Sequence, residues 1–132
     1  MPNTDDILRV RIPTDAIVQR SFVVNGKQFN FFDVAGQKDK RSRWVPYLSS
    51  TLRGIIFIMS IASFDQRMAE DATVNRYLDS LVLFEELMGN SLLAGIPTIL
   101  LLNKADLFEL KVKAVNFSSF IVHYDGSSLF LT

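Results

Sequence analysis

Cysteine is absent from the 132 residues, which excludes a disulfide framework, a thiolate zinc site and a cysteine nucleophile. The zero count suits a reducing compartment. Neither sign of charge is in excess, since 14 Lys and Arg stand against 14 Asp and Glu. That balance excludes a polybasic nucleic-acid binder, whose surface one sign of charge dominates. Histidine occurs once, as His123, with no Asp or Ser context suggesting a triad, and reads as structural or solvated. No apolar run approaches the roughly 20 residues of a membrane span. The opening MPNTDDILRV lacks the basic-then-apolar pattern of a secretory signal, and Pro2 in place of Gly speaks against N-myristoylation. Neither a leader nor an anchor is therefore expected. Apolar residues are plentiful at 48%, including 11 Phe, enough to build the core of one domain rather than a disordered chain.

The first strong punctuation is Asn25-Gly26, a two-residue type I′ turn signal, because both residues tolerate positive φ. The Val- and Phe-bearing runs on either side, Ile17 to Val24 and Gln28 to Asp33, predict an antiparallel hairpin. Gly36 to Ser50 is polar and basic, with Lys38, Lys40, Arg41 and Arg43, and predicts a loop or a short exposed helix. The run Gly54-Ile-Ile-Phe-Ile-Met-Ser-Ile61 is nearly all apolar, as in strands of a parallel sheet buried on both faces. From about Glu70 to Met88 the period changes. Val74, Tyr77, Leu78, Leu81, Phe84 and Met88 fall on one helical face. Glu70 and Asp71 are expected in its first turn, where the helix dipole favours negative charge, and Gly89-Asn90 is its expected stop. Pro97 opens a second buried strand, Thr98 to Leu102. Strand, helix and strand at this spacing form a βαβ unit with a right-handed crossover, so the fold class is α/β. Ligands in such sheets bind beyond the carboxyl ends of the strands.

Two polar clusters lie at such strand ends. Asp33-Val-Ala-Gly-Gln37 combines a carboxylate able to hold Mg²⁺ through water and a glycine that lets a backbone N–H approach a phosphate. Its glutamine is able to orient an attacking water. Standing alone, this cluster reads as an ordinary turn. Asn103-Lys-Ala-Asp106 ends the second apolar strand. Its aspartate matches the N1–H and exocyclic amine of guanine, its Asn is able to brace neighbouring loops, and the Lys stem is able to pack over a base. A solvated turn before a helix is the alternative. A third cluster, Leu8-Arg-Val-Arg-Ile-Pro-Thr14, offers Arg11 to neutralise phosphoryl charge and the Thr14 hydroxyl to ligate Mg²⁺; standing alone, it reads as a solvated basic segment. The coincidence of DxxGQ and NKxD, in this order and each closing an apolar strand, favours a shared site.

On these motifs the sequence resembles the α subunits of heterotrimeric G proteins, from about Asp6 to Leu110. Asp6 to Thr14 resembles the family's arginine-bearing first switch, and Lys38 to Trp44 its second. Met68-Ala-Glu-Asp-Ala-Thr-Val-Asn-Arg76, with Leu83-Phe84, is similar to the helix that follows its fourth strand. Ras-like and Arf-like small GTPases share DxxGQ and NKxD but not that helix. The resemblance implies part of a P-loop (Ras-like) GTPase fold, a doubly wound, mostly parallel sheet, over residues 1–110, with a divergent tail over 111–132. It implies GTP and GDP as ligands, Mg²⁺ as cofactor, and hydrolysis of GTP to GDP and phosphate. In that chemistry Arg11 is the built-in arginine finger and Gln37 the water-positioning residue. Thr14 ligates Mg²⁺ and Asp33 holds it through water. Val34 and Gly36 line the phosphate side, with Gly36 at the γ-phosphate; Leu8 and Arg9 lie near the ribose; Asn103, Lys104 and Asp106 read guanine. Arg41, Arg43 and Trp44 form the surface that meets the βγ dimer or effector enzymes, downstream of a G-protein-coupled receptor. Its place would be cytoplasmic, at the inner face of the plasma membrane, with membrane contact only peripheral.

The same resemblance marks departures. The phosphate loop GxxxxGK(S/T) does not occur, since Gly26-Lys27, the one Gly-Lys pair, falls in the hairpin turn. About half the phosphate contacts of the family thus have no source here. The helical domain that covers the nucleotide and the receptor-contacting C-terminal part are absent from these residues too, as expected of a fragment. In the family's topology the strand before the phosphate loop lies between Gln28–Asp33 and Gly54–Ile61, so both are expected to lack a partner on their facing edges. Ala35 replaces the usual Gly, Asp15-Ala16 stands where Thr-Gly is usual, Pro13 removes a switch N–H, and Lys40 replaces an acid. In the tail, Phe117, Phe120, Ile121, Phe130 and Leu131 are exposed liabilities unless they cover the sheet. Beside the GTPase reading stand a non-catalytic module binding βγ or effectors through the second switch, a small Ras-like GTPase fragment, and a truncated product without a stable fold.

Overall fold

The computed structural model describes residues 17–36 and 52–121. Two compact units divide the chain, Met1–Ser49 and Ser50–Thr132, and each is built on its own two-stranded sheet.

In the first unit, β1 (Val18–Val24) and β2 (Lys27–Asp33) pair antiparallel, from Val24 opposite Lys27 to Val18 opposite Asp33. Asn25 at φ 50° and Gly26 at φ 73° make the turn, and a turn with positive φ at both central residues has a twist that matches the right-handed twist of the strands. The hairpin is as the dipeptide foretells. On one side of it Phe22 meets Phe31 edge to face at 5.7 Å between centroids. On the same ladder the Ser21 hydroxyl donates to Asn30 Oδ1 at 2.7 Å.

The second unit starts with β3 (Ile55–Ser60), which pairs parallel with β4 (Thr98–Asn103), Ile55 opposite Thr98 and Ser60 opposite Asn103. Between them runs α1 (Arg76–Met88), and α2 (Ala105–Ala114) follows β4. The βαβ order and the parallel pairing agree with the sequence. The burial does not. Met59 is buried and Ile55 and Phe57 are half-buried, but Ile56 and Ile58 are exposed, as are Ile99 to Leu102. The covered face is the one on which Phe57 meets Phe84 of α1 at 5.1 Å, and the other face is open among the described residues. Composition reports that a strand is apolar, not how many layers lie over it. Among the described strands, β2 pairs with β1 and β3 with β4.

Helix α1 starts later than its periodicity suggests. Its N-cap is Asn75, whose side-chain oxygen accepts from the amides of Tyr77 and Leu78 at 2.8 and 3.2 Å. Glu70 and Asp71 therefore precede the helix, and Asp79 is the acid of its first turn. Asp71 instead builds a turn, its Oδ1 accepting from the Thr73 amide and hydroxyl. The buried residue of the helix is Leu83, while Leu78 and Met88 of the predicted stripe are exposed. Gly89 is the C-cap, as foreseen, with its amide on Glu85 O.

The core of this unit centres on Phe64, which is fully buried. Its ring meets Phe108, Phe117 and Phe120 with centroids 5.7, 5.0 and 6.0 Å away. Phe117 and Phe120, expected as liabilities, are half-buried here because they close over Phe64 rather than the sheet. Asn75 is buried with its Nδ2 donating to Phe64 O at 2.6 Å, so one side chain ties the helix start to the aromatic cluster. No helix among the described residues is long and apolar enough to cross a membrane.

Candidate functional site

In the first unit, Asp33 is the last residue of β2. The ladder ends with it, opposite Val18, so its exposed side chain stands at the carboxyl end of the strand. Val34 is half-buried and Ala35 buried. Anchored by that alanine, the chain brings Gly36 out to solvent. A Cβ built on Gly36 would meet nothing within 4 Å, so the space beside this residue is open. The Asp33 carboxylate is a hard oxygen donor of the kind that suits Mg²⁺. Among the described residues, no cluster of three or more His, Cys, Asp or Glu forms a self-sufficient metal site, so any cation here needs oxygens from elsewhere, as hydrated Mg²⁺ on a nucleotide does. Gln37 of this motif lies outside the described residues, as do Leu8, Arg9, Arg11, Thr14, Arg41, Arg43, Trp44 and His123.

In the second unit, Asn103 ends β4 opposite Ser60. Its Oδ1 accepts from the Lys104 amide at 2.8 Å, which curls the chain at once. Lys104 is left-handed, φ 62° and ψ 40°, a region that L residues without side-chain assistance rarely enter. The turn reverses the chain into α2, whose first-turn acid is Asp106. Phe108 N donates to Lys104 O at 3.0 Å. Asn103, Lys104 and Asp106 are all exposed, so an Asp carboxylate, a Lys stem and a bracing Asn are presented together at one strand end. A base edge bearing two adjacent N–H donors is what such a carboxylate recognises.

The sequence reading missed two features of this unit. The left-handed Lys104 has no propensity signal. The other is Lys111, on α2, whose Nζ donates to Asp65 Oδ1 at 2.6 Å and to Ala62 O at 2.9 Å. These partners lie 46 and 49 positions away, so no local pattern links them.

A profile of the G-protein alpha subunit family matches residues 1–129. The chain is 37% identical over 126 residues to the guanine nucleotide-binding protein alpha-8 subunit of Caenorhabditis briggsae, covering 96% of this chain and 34% of that protein. It is 38% identical over 128 residues to the alpha-15 subunit of Caenorhabditis elegans, 97% of this chain and 36% of that one. To the mouse guanine nucleotide-binding protein subunit alpha-13 it is 36% identical over 126 residues, 96% of this chain and 33% of that one. The fold is thus of the P-loop GTPase class, α/β with a parallel strand pair. The chain belongs to the G-protein α subunit family and spans about a third of the length of these relatives.

Proposed function

We propose that this chain carries the base-reading and switch-side portion of a guanine-nucleotide switch. In this reading Asp106 accepts from guanine N1–H and its exocyclic amine, Asn103 braces the turn, and the Lys104 stem covers the base. Asp33, through water, and Thr14 would hold Mg²⁺, Gly36 meets the γ-phosphate, and Val34 lines the same side. Bound Mg²⁺ would supply charge neutralisation on the β- and γ-phosphates. Arg11 stabilises charge on the transferring phosphoryl group and Gln37 orients water, so that GTP becomes GDP and phosphate. Leu8 and Arg9 lie at the ribose. Arg41, Arg43 and Trp44 meet a βγ dimer or an effector enzyme in signalling from a G-protein-coupled receptor, at the cytoplasmic face of the plasma membrane.

The observation that carries the reading is the turn after β4: a left-handed Lys104 between Asn103 and Asp106, all exposed at a parallel strand's carboxyl end. The 132 residues contain no GxxxxGK(S/T), so the N–H cradle and lysine for the phosphates have no source within them. Isothermal titration of the chain with GDP and Mg²⁺ is therefore expected to give a Kd weaker than about 10 µM, lost in Asp106→Ala and not matched by ADP. Submicromolar binding would overturn the claim about the cradle; equal GDP and ADP affinity would overturn the role of Asp106. A second reading, a non-catalytic module that engages βγ or effectors, is motivated by Arg41, Arg43 and Trp44. Capture of βγ by the wild-type chain but not by Trp44→Ala supports it, and equal capture by both removes it.

A further inference from the structure

Helix α2 carries Asp106 in its first turn, yet it has no buried residue of its own. Leu107 and Leu110 are exposed, and Phe108 is half-buried against Phe64. Among the described residues, the polar fastening of this helix to the rest of the unit is Lys111. Its ammonium bonds Ala62 O in the turn after β3 and forms an ion pair with Asp65, and it stands 5.9 Å from the centroid of the Phe64 ring. Lys111 and Asp65 side chains are only 29% and 21% exposed, so this pair is shielded from solvent far more than Lys113–Glu109, which lies on the same helix at 66% and 72%. The contrast matters, because an exposed i,i+4 pair contributes little and orders nothing beyond its own helix. Lys111 instead joins α2 to the segment that directly follows β3, and β3 is paired residue for residue with the strand ending in Asn103.

From this we infer that Lys111 is the positioning residue of the base-reading turn. By tying α2 to Ala62 and Asp65, it fixes where the first turn of the helix, and with it Asp106, stands relative to the end of β4. The inference rests on the reading of Asp106 as the guanine acceptor, but its structural half does not.

The test uses the full chain and two readouts. In amide hydrogen exchange, Lys111→Met keeps the stem against Phe64 but removes both bonds. It is expected to speed exchange of the Phe108 amide, which closes the turn on Lys104 O, by roughly tenfold. The β3 and β4 ladder amides should be unchanged, Lys111→Arg should retain protection, and Lys113→Met should behave as wild type. In NMR titrations, which detect weak binding, wild type should prefer GDP over IDP, a nucleotide without the exocyclic amine, by roughly tenfold, with the ratio falling towards one in Lys111→Met. Unchanged Phe108 exchange, or equal acceleration of every amide, would overturn the inference, the latter by reducing Lys111 to a general stabiliser. If exchange responds as expected while wild type does not distinguish GDP from IDP, the anchoring stands and the guanine reading fails instead.

Discussion

At Lys104 a long, charged side chain occupies a backbone conformation that costs an L residue about 1–2 kcal/mol. Asn103 Oδ1 receives its amide and Phe108 N bonds its carbonyl, so the conformation is held from both sides. Strain of this kind, at an exposed strand end, belongs where function fixes the side chain rather than stability. Lys104→Gly is therefore expected to raise stability by about 1 kcal/mol, read as a higher urea midpoint at unchanged m-value. The same variant should weaken GDP binding, since no stem remains to cover the base. A lower midpoint would show that the lysine stem packs in the free protein. The residue types at Asn103, Lys104 and Asp106 were legible as a motif because their spacing at the end of an apolar strand is a local property of the sequence. The left-handed turn was not, because Lys has no intrinsic preference for it.

Among the elements, α1 shows most clearly what a periodic pattern conveys and what it omits. The apolar spacing identified a helix and its end at Gly89, but extended its start to Glu70 because Val74 shares the stripe. The actual boundary is decided by Asn75, which caps two amides with Oδ1 and bonds buried Phe64 O with Nδ2. A Leu at position 78 in place of Glu or Gln leaves no capping box to announce it. Asn75→Ala loses the cap and strands a buried carbonyl, at a combined cost of about 2–4 kcal/mol, measurable by chemical denaturation. A loss below about 1 kcal/mol would mean water replaces the amide. Next to it, burial raises the Tyr77 phenol pKa from its ordinary 10.0. The folded state thus favours the neutral phenol, and the unfolded state ionises first as pH rises. Stability from this group is intact below pH 10 and declines as pH climbs towards the folded value. Tyr77→Phe should flatten the alkaline limb of a stability–pH curve, and an unaltered limb would assign that decline to other groups.

For the molecule as a whole, the hairpin, the parallel β3–β4 pairing and the βαβ order were all legible, since turn chemistry and apolar run length are local properties. Two-sided burial was not, because it depends on which layers cover a strand, and Ile56, Ile58 and Leu100 to Leu102 carry the same residue types whether covered or open. The aromatic cluster around Phe64 draws on Phe108, Phe117 and Phe120 from beyond the NKxD motif, contacts that no single-segment pattern contains. The central proposal is that the turn from Asn103 to Asp106 reads guanine. Its most direct test is an NMR titration of the full chain with Mg²⁺ and GDP, following the backbone amides of that turn. Those amides are expected to shift along one binding curve with GDP and to stay in place with ADP. No shift with GDP, or an equal response to ADP, would contradict it.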